Sequence, residues 1–302
     1  MTRYIRLKEW GVLHETFRSP PDSYLAISDS TLAKRQFRFR TDENGFIYTG
    51  RDMSPDASRI LVLGDSVVET MFVEENLRMC ARLEEMIAAR SPVSVRVLNG
   101  GMTGSTTLHL LNLFLNKGLP LAPALVVLMS GVMDLDASLN QAGFWTGEPR
   151  IAPIVTVPEE ASPGSDPILL DADFSGRGRL LRSFAAIAML HDVPLMMATV
   201  PHRTSYEDSY VKRRYPSPTP FMRAVELRKR MNACTRDACA AMAVPLIDLE
   251  QRLENRPELF YDEFHLNEVG SSVVAEEIHA ELGRDLTRIV GRKLHPEAEK
   301  PN

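Results

Sequence analysis

A serine, a histidine and an aspartate stand in two short polar segments that are far apart in the chain. Gly64-Asp65-Ser66 ends an apolar run, and Asp262 precedes His265 by three positions. A serine hydroxyl is a weak nucleophile until a base removes its proton, and an imidazole oriented by a carboxylate can be that base. If folding brings these residues together, they have the side chains needed for nucleophilic attack on a carbonyl carbon.

The surrounding pattern places both segments at the ends of regular elements. Residues 59–64 form an apolar run typical of a buried strand, and residues 68–90 carry apolar side chains at helical spacing. Ser66 therefore lies at the carboxyl end of a strand, where open α/β sheets bind ligands. Asn267 is a predicted N-cap, which leaves Asp262 and His265 in the loop before the last helix. Taken alone, Ser66 could simply cap a helix, and an isolated D-x-x-H is common on protein surfaces.

Strand and helix patterns alternate along most of the chain. Strands are predicted over residues 60–64, 93–98, 125–130, 194–200 and 244–249, and helices over about 68–90, 105–117, 178–191, 220–242 and 268–287. Several strands are nearly continuous apolar runs, which is typical of a parallel sheet covered on both faces. The pattern predicts an α/β fold with right-handed crossovers, built as a three-layer sandwich.

Three segments are expected: an N-terminal extension (1–58), a main domain (59–290) and a polar tail (291–302). Residues 1–35 carry no strong pattern. Residues 36–40 and 45–48 alternate around Asn44-Gly45, which predicts a β-hairpin in the extension. Residues 51–58 have the composition of a linker.

Two connections are too long to be simple turns, namely residues 134–176 and 201–220. Long loops in compact domains often bound functional sites, and both are expected to leave the carboxyl edge of the sheet. Trp145 and His202 are therefore candidate substrate-binding residues.

The composition of the chain gives no indication of nucleic-acid binding, membrane insertion or metal binding. The net charge is −5, so a basic nucleic-acid-binding surface is not indicated. No apolar run approaches the roughly 20 residues of a membrane span, and no signal peptide is evident, so a cytoplasmic location without a membrane partner is expected. The cysteines show no metal-binding spacing, so neither a metal nor a cofactor is predicted; they are Cys80, Cys234 and Cys239.

A glycine-rich turn follows the second predicted strand, in residues 98–106. Glycine lets the backbone approach a substrate oxygen, and the Gly104 N–H is a candidate donor to it. Such a turn can also cradle a phosphate, but this one matches neither G-x-G-x-x-G nor G-x-x-x-x-G-K-[ST].

Four segments in this order resemble those of the SGNH (GDSL-type) hydrolase family. They are residues 64–66, 99–104, 131–134 and 262–265, and the resemblance covers about residues 59–287. The G-x-S-x-G elbow of α/β-hydrolases is absent, because Val67-Val68 follows Ser66.

The resemblance implies a flavodoxin-like, five-stranded parallel sheet of order 2-1-3-4-5 and ester hydrolysis without a metal or cofactor. It implies Ser66 as the catalytic nucleophile, His265 as the base and Asp262 as the residue that orients the base. The implied oxyanion hole contains the backbone N–H groups of Ser66 and Gly104.

One position departs from the family pattern. The third segment of the family reads G-x-N-D, and its asparagine is the third oxyanion donor, whereas this chain has Met133 there. A thioether cannot donate a hydrogen bond, and losing one such donor costs about 100- to 1,000-fold in turnover. Ser130 and Asn99 are candidate substitute donors.

The leading hypothesis is a serine esterase or deacylase that forms an acyl-serine intermediate. Its substrate is expected to be an O-acyl ester of a small molecule, and carbohydrate esters are included. Acyl transfer to a sugar hydroxyl needs the same residues and remains an alternative. A binding or assembly protein on the same scaffold, impaired in catalysis by Met133, is the third hypothesis.

Overall fold

The computed structural model describes residues 2–51, 56–90, 94–157, 168–169 and 171–283. In chain order the strands are β1 (Thr2–Ile5), β2 (Glu15–Arg18), β3 (Phe37–Arg40), β4 (Ser58–Gly64), β5 (Val95–Gly101), β6 (Leu125–Met129), β7 (Ile154–Val157), β8 (Leu195–Ala198) and β9 (Leu246–Ile247). The α-helices are α1 (Asp22–Leu25), α2 (Ser66–Glu69), α3 (Met79–Arg90), α4 (Thr107–Leu113), α5 (Val132–Leu139), α6 (Ser175–Leu190), α7 (Ser209–Arg214), α8 (Pro218–Met242), α9 (Leu249–Arg252) and α10 (Glu268–Leu282).

The central sheet has five parallel strands in the order β5-β4-β6-β8-β9. Numbered within the sheet, this is the order 2-1-3-4-5 that the family resemblance implied. The apolar runs account for the central strands, since β5 and β6 are buried throughout and β4 is buried from Ile60 onward. Because all five strands run in the same direction, their carboxyl ends meet at one edge of the sheet.

Alternate residues of each strand face opposite layers. Ile60 and Val62 pack in an apolar cluster that includes residues of α3 and α10. Leu61 and Leu63 pack in a second cluster with residues of α4 and α6. Helices therefore cover both faces of the sheet, and the predicted three-layer α/β architecture is confirmed.

The helix predicted over residues 68–90 is interrupted. α2 ends after Glu69 because Thr70 takes a left-handed conformation with φ of 46°. A 3₁₀ turn, Glu75–Leu77, then precedes α3. The prediction joined two elements because no glycine or proline separates them in the sequence.

The N-terminal extension has more structure than its sequence suggested. β2 pairs with β3, and β1 pairs with β7, both in antiparallel register. The predicted turn is present at Gly45, with φ of 73°, and it brings Thr41 and Ile47 together in a single antiparallel bridge. Ile47 also bridges to Asn99 of β5, so the extension is attached to an edge of the central sheet.

The connection predicted over residues 134–176 is not a plain loop, because it contains most of α5 and all of β7. Likewise, the connection over 201–220 contains α7 and the start of α8. Part of the predicted linker, residues 52–55, lies outside the described residues, and so does the polar tail.

Candidate active site

Ser66 is the first residue of α2, directly after β4. A β-carbon on Gly64 would lie 2.5 Å from the Met129 carbonyl oxygen, so only glycine fits where β4 approaches β6 this closely. Asp65 caps α2 by accepting a hydrogen bond from the Val67 N–H at 3.0 Å, and it accepts another from the Val132 N–H at 2.9 Å. Asp65 thus connects the corner between β4 and α2, which contains Ser66, to the corner between β6 and α5.

Ser66, His265 and Asp262 form one chain of hydrogen bonds. The Ser66 Oγ lies 2.8 Å from His265 Nε2, and His265 Nδ1 lies 2.6 Å from Asp262 Oδ2. When Nδ1 carries the ring proton and donates a hydrogen bond to the carboxylate, Nε2 is unprotonated and can accept the serine proton. The His265 side chain keeps 16% of its surface exposed, so the ring is within reach of a substrate.

The carboxylate and the imidazole stabilise each other's charged forms. Burial works against ionisation of Asp262, but the charge of His265 and hydrogen bonds from His265 and Tyr24 outweigh it and lower the pKa of Asp262 to about 2. Burial also opposes a charged imidazole, yet Asp262, with smaller contributions from Asp65 and Glu69, raises the pKa of His265 above its ordinary value. A base of raised pKa beside a permanently charged carboxylate suits proton abstraction from a hydroxyl.

The backbone N–H groups of Ser66 and Gly104 remain the predicted oxyanion donors. Ser66 begins a helix, so its N–H has no acceptor within that helix. Gly104 has φ of 80°, a conformation that glycine adopts without strain. Within the described part of the chain, neither N–H donates to a backbone carbonyl.

Met133 lies in the first turn of α5, half-buried, and packs against the apolar cluster on the α4 and α6 side of the sheet. The two candidate substitute donors are engaged elsewhere. Asn99 donates to the Val68 carbonyl at 3.4 Å and accepts from the Gly101 N–H at 2.9 Å. The Ser130 hydroxyl belongs to a buried network with Thr107, Asp134 and Arg177.

The two candidate substrate-binding residues have different surroundings. His202 is buried, with Nδ1 3.0 Å from the Arg203 carbonyl and Nε2 2.9 Å from Glu250 Oε1. Both ring nitrogens therefore have hydrogen-bond partners inside the protein, and a role for His202 in binding substrate stays a prediction. Trp145 ends a 3₁₀ turn and is 61% exposed, which leaves its role in binding substrate a prediction.

Arg203 supports the loop that carries Asp262 and His265. Its guanidinium is buried and donates to the carbonyl oxygens of Asp262 at 2.7 Å and Phe260 at 2.6 Å. It also forms ion pairs with Asp29 and Asp208. The 201–220 connection thus holds this loop in place, a function that the basic composition of the segment did not predict.

Glu69 connects the extension to the glycine-rich turn. Its buried carboxylate accepts hydrogen bonds from the Trp10 indole at 3.2 Å and from the Thr103 N–H at 3.2 Å. Burial raises the pKa of Glu69, and the hydrogen bonds from Thr103 and Trp10 partly offset that effect. Thr103 immediately precedes Gly104, so Glu69 fixes the backbone that presents the Gly104 N–H.

Two features are absent from the described part of the chain. In that part of the chain, no cluster of three or more histidine, cysteine, aspartate or glutamate side chains is arranged to bind a metal ion. Nor does any helix there have the length and apolar character needed to cross a membrane.

Comparison with solved structures identifies proteins of the same fold. The lipase/acylhydrolase from Enterococcus faecalis aligns over 75% of this chain and 96% of its own, with 19% identity and a TM-score of 0.51. The acetyl xylan esterase AlAXEase aligns over 74% and 99%, with 15% identity and a TM-score of 0.51. TesA aligns over 75% of this chain and 99% of its own, with 15% identity and a TM-score of 0.51.

Among curated proteins, no sequence is significantly similar to this chain. A sequence model of the GDSL-like Lipase/Acylhydrolase family does match, over residues 62–273. That range takes in Ser66, Gly104, Asp262 and His265 and makes up well over half of the chain. The chain therefore belongs to the GDSL-like Lipase/Acylhydrolase family of carboxylic ester hydrolases.

Proposed function

We propose that this protein hydrolyses an O-acyl ester through an acyl-serine intermediate on Ser66. The observation that carries the proposal is the continuous hydrogen-bonded chain from the Ser66 hydroxyl through His265 to Asp262. Family membership supports the same reaction class.

In the first half of the reaction, the Ser66 oxygen attacks the ester carbonyl carbon while its proton passes to His265 Nε2. The ring becomes an imidazolium, which the adjacent Asp262 carboxylate stabilises. The carbonyl oxygen becomes an oxyanion, and the N–H groups of Ser66 and Gly104 are its proposed donors. The bond to the alcohol oxygen then breaks, and the imidazolium returns a proton to the departing alcohol.

In the second half, water replaces the alcohol. His265 removes a proton from the water as its oxygen attacks the acyl carbon, and the same donors stabilise the second oxyanion. The acyl–serine bond breaks, the carboxylic acid leaves, and the proton returns to the Ser66 oxygen. The enzyme is regenerated without any net gain or loss of protons or electrons.

Covalent labelling tests the nucleophile without knowledge of the substrate. We expect a fluorophosphonate probe to label the folded protein at one site, which mass mapping of the modified peptide assigns to Ser66. The Ser66→Ala variant should remain unlabelled under the same conditions. If the folded wild-type protein stays unlabelled, or is labelled at another residue, the proposed mechanism is wrong.

Short acyl esters are the first substrates to assay. Acetylated sugars belong in the same panel, because the proposal includes carbohydrate esters and an acetyl xylan esterase shares this fold.

Replacing Met133 by asparagine is expected to raise kcat by about tenfold or more, because an amide at this position can supply the third oxyanion donor. KM should change little, since the added hydrogen bond forms mainly in the transition state. The measurement is steady-state hydrolysis of a short acyl ester.

Met133→Leu is the matched control. Leucine retains the apolar contacts of Met133 and has no donor, so its kcat should stay near that of the wild type. If both variants have equal kcat, or if Met133→Asn is slower than Met133→Leu at equal thermal stability, a third donor at this position is excluded.

A further inference from the structure

Tyr24 of α1 contacts the side chain on which the proposed base depends. Its hydroxyl donates a hydrogen bond to Asp262 Oδ2 at 2.7 Å and lies 3.1 Å from His265 Nδ1. The tyrosine ring meets the His265 ring edge-on, with centroids 6.4 Å apart. Tyr24 lies outside residues 62–273, the range that matches the family, so this contact comes from the N-terminal extension.

The hydroxyl completes the coordination of the Asp262 carboxylate. Oδ2 accepts from Tyr24 and from His265 Nδ1. Oδ1 accepts from the backbone N–H groups of Phe264 at 3.0 Å and His265 at 2.7 Å. Four donors thus match the approximately four acceptor positions of an ionised carboxylate, which fixes its rotation about the side-chain bond.

Tyr24 remains a donor across the working pH range. Burial raises the pKa of its phenol well above the ordinary value, and the neighbouring Tyr261 and Asp262 raise it further. The hydroxyl therefore keeps its proton and cannot compete with Asp262 as an anion beside the imidazole.

The extension is anchored where Tyr24 makes this contact. Asp29 pairs with Arg203, which also donates to the Asp262 carbonyl. The Asp29 N–H donates to the Tyr261 carbonyl at 2.7 Å, and Ser28 Oγ donates to the Tyr24 carbonyl at 2.9 Å. Asp29, five positions after Tyr24, thus joins the extension to the loop that carries Asp262 and His265.

We propose that Tyr24 is a positioning residue of the Ser66–His265–Asp262 triad, supplied by the N-terminal extension. Its hydroxyl holds the Asp262 carboxylate in the rotation that presents Oδ2 to His265 Nδ1. Its hydrogen bond also disperses part of the negative charge of the Asp262 carboxylate. Asp262 therefore stabilises the imidazolium form of His265 less strongly than it would without Tyr24. This inference rests on the proposed function, because it assigns Tyr24 a role in that reaction.

Tyr24→Phe removes the hydroxyl and retains the ring. We expect kcat to fall about tenfold with little change in KM, because the substrate does not contact Tyr24 in this proposal. We also expect the apparent pKa of the acid limb of the kcat/KM profile to rise by about 0.5–1 pH unit. The reason is that an Asp262 carboxylate without the Tyr24 donor stabilises the imidazolium more strongly. The other groups that act on His265, namely Asp65, Glu69, Tyr261, Phe264 and Ser66, are unchanged in this variant.

Two further measurements separate positioning from a merely structural role. NMR titration of the His265 ring, assigned with His265→Ala, should show the same upward shift of its pKa in Tyr24→Phe without any substrate. In an Asp262→Asn background, adding Tyr24→Phe should cause less than a twofold further change in kcat, because Tyr24 acts through the lost carboxylate. Tyr4→Phe, at an exposed position of the same extension, is the control and should match the wild type.

An unchanged or lowered His265 pKa in Tyr24→Phe overturns the inference, and so does an undiminished effect in the Asp262→Asn background. Either result with Ser66 still reactive toward a fluorophosphonate leaves the proposed function standing. Failure of the wild-type protein to react at Ser66 would instead remove the proposed function, and the inference about Tyr24 with it.

Discussion

The Ser66→Ala variant is expected to lose ester hydrolysis, with kcat lowered by about 10⁵- to 10⁶-fold, the loss typical of removing the nucleophile from a serine hydrolase. Without the hydroxyl, no acyl-enzyme can form, and His265 can only assist direct attack by water. The fold should be unaffected, because the Ser66 hydroxyl forms one hydrogen bond, to His265, within the described residues. Steady-state assay of a short acyl ester measures the loss, and thermal unfolding checks the fold.

Ser175→Ala is the matched control for the loss of a serine hydroxyl. Ser175 also begins a helix, and its hydroxyl bonds to Asp173 on the exposed surface. This variant should retain wild-type kcat. If Ser66→Ala retained more than about one-hundredth of the wild-type kcat, acyl-serine catalysis at this position would be ruled out.

The His265→Ala variant should lose a similar factor, roughly 10⁵- to 10⁶-fold in kcat, because the serine and its base act as a unit. The wild-type pH profile provides a second signature. His265 accepts a proton only when it is neutral, so kcat/KM should fall as the pH drops through a pKa above the ordinary histidine value. In His265→Ala this acid limb should disappear.

His191→Ala is the control for the removal of an imidazole, because His191 is an exposed residue at the end of α6. It should keep both the wild-type rate and the wild-type pH profile. The double variant Ser66→Ala/His265→Ala should be no slower than either single variant by more than a few fold. Additive losses, or an acid limb that persists without His265, would contradict the assignment of His265 as the base.

Much of the fold could be predicted from the sequence because its signals are local. The strands β4, β5 and β6 are near-continuous apolar runs, and burial on both faces of a parallel sheet requires such runs. The corners that follow these strands are polar and rich in glycine, so their shared edge could be anticipated as well. The D-x-x-H spacing was enough to predict that Asp262 could reach His265.

The features that were missed depend on contacts between distant parts of the chain. Tyr24 has no periodic apolar neighbours, and its hydroxyl meets a residue 238 positions away. The break after Glu69 comes from a left-handed threonine, a conformation that the residue type does not signal. The contact of His202 with Glu250, 48 positions further along the chain, is another that no local pattern signals.

The separation of the triad residues along the chain also sets when the site can become active during translation. Ser66 is synthesised before Asp262 and His265, which emerge only after all five strands of the central sheet. A nascent polypeptide that stops before residue 265 contains the hydroxyl without its base and so has no means to activate it. Unfinished copies of the protein therefore lack the proposed means of attacking an ester.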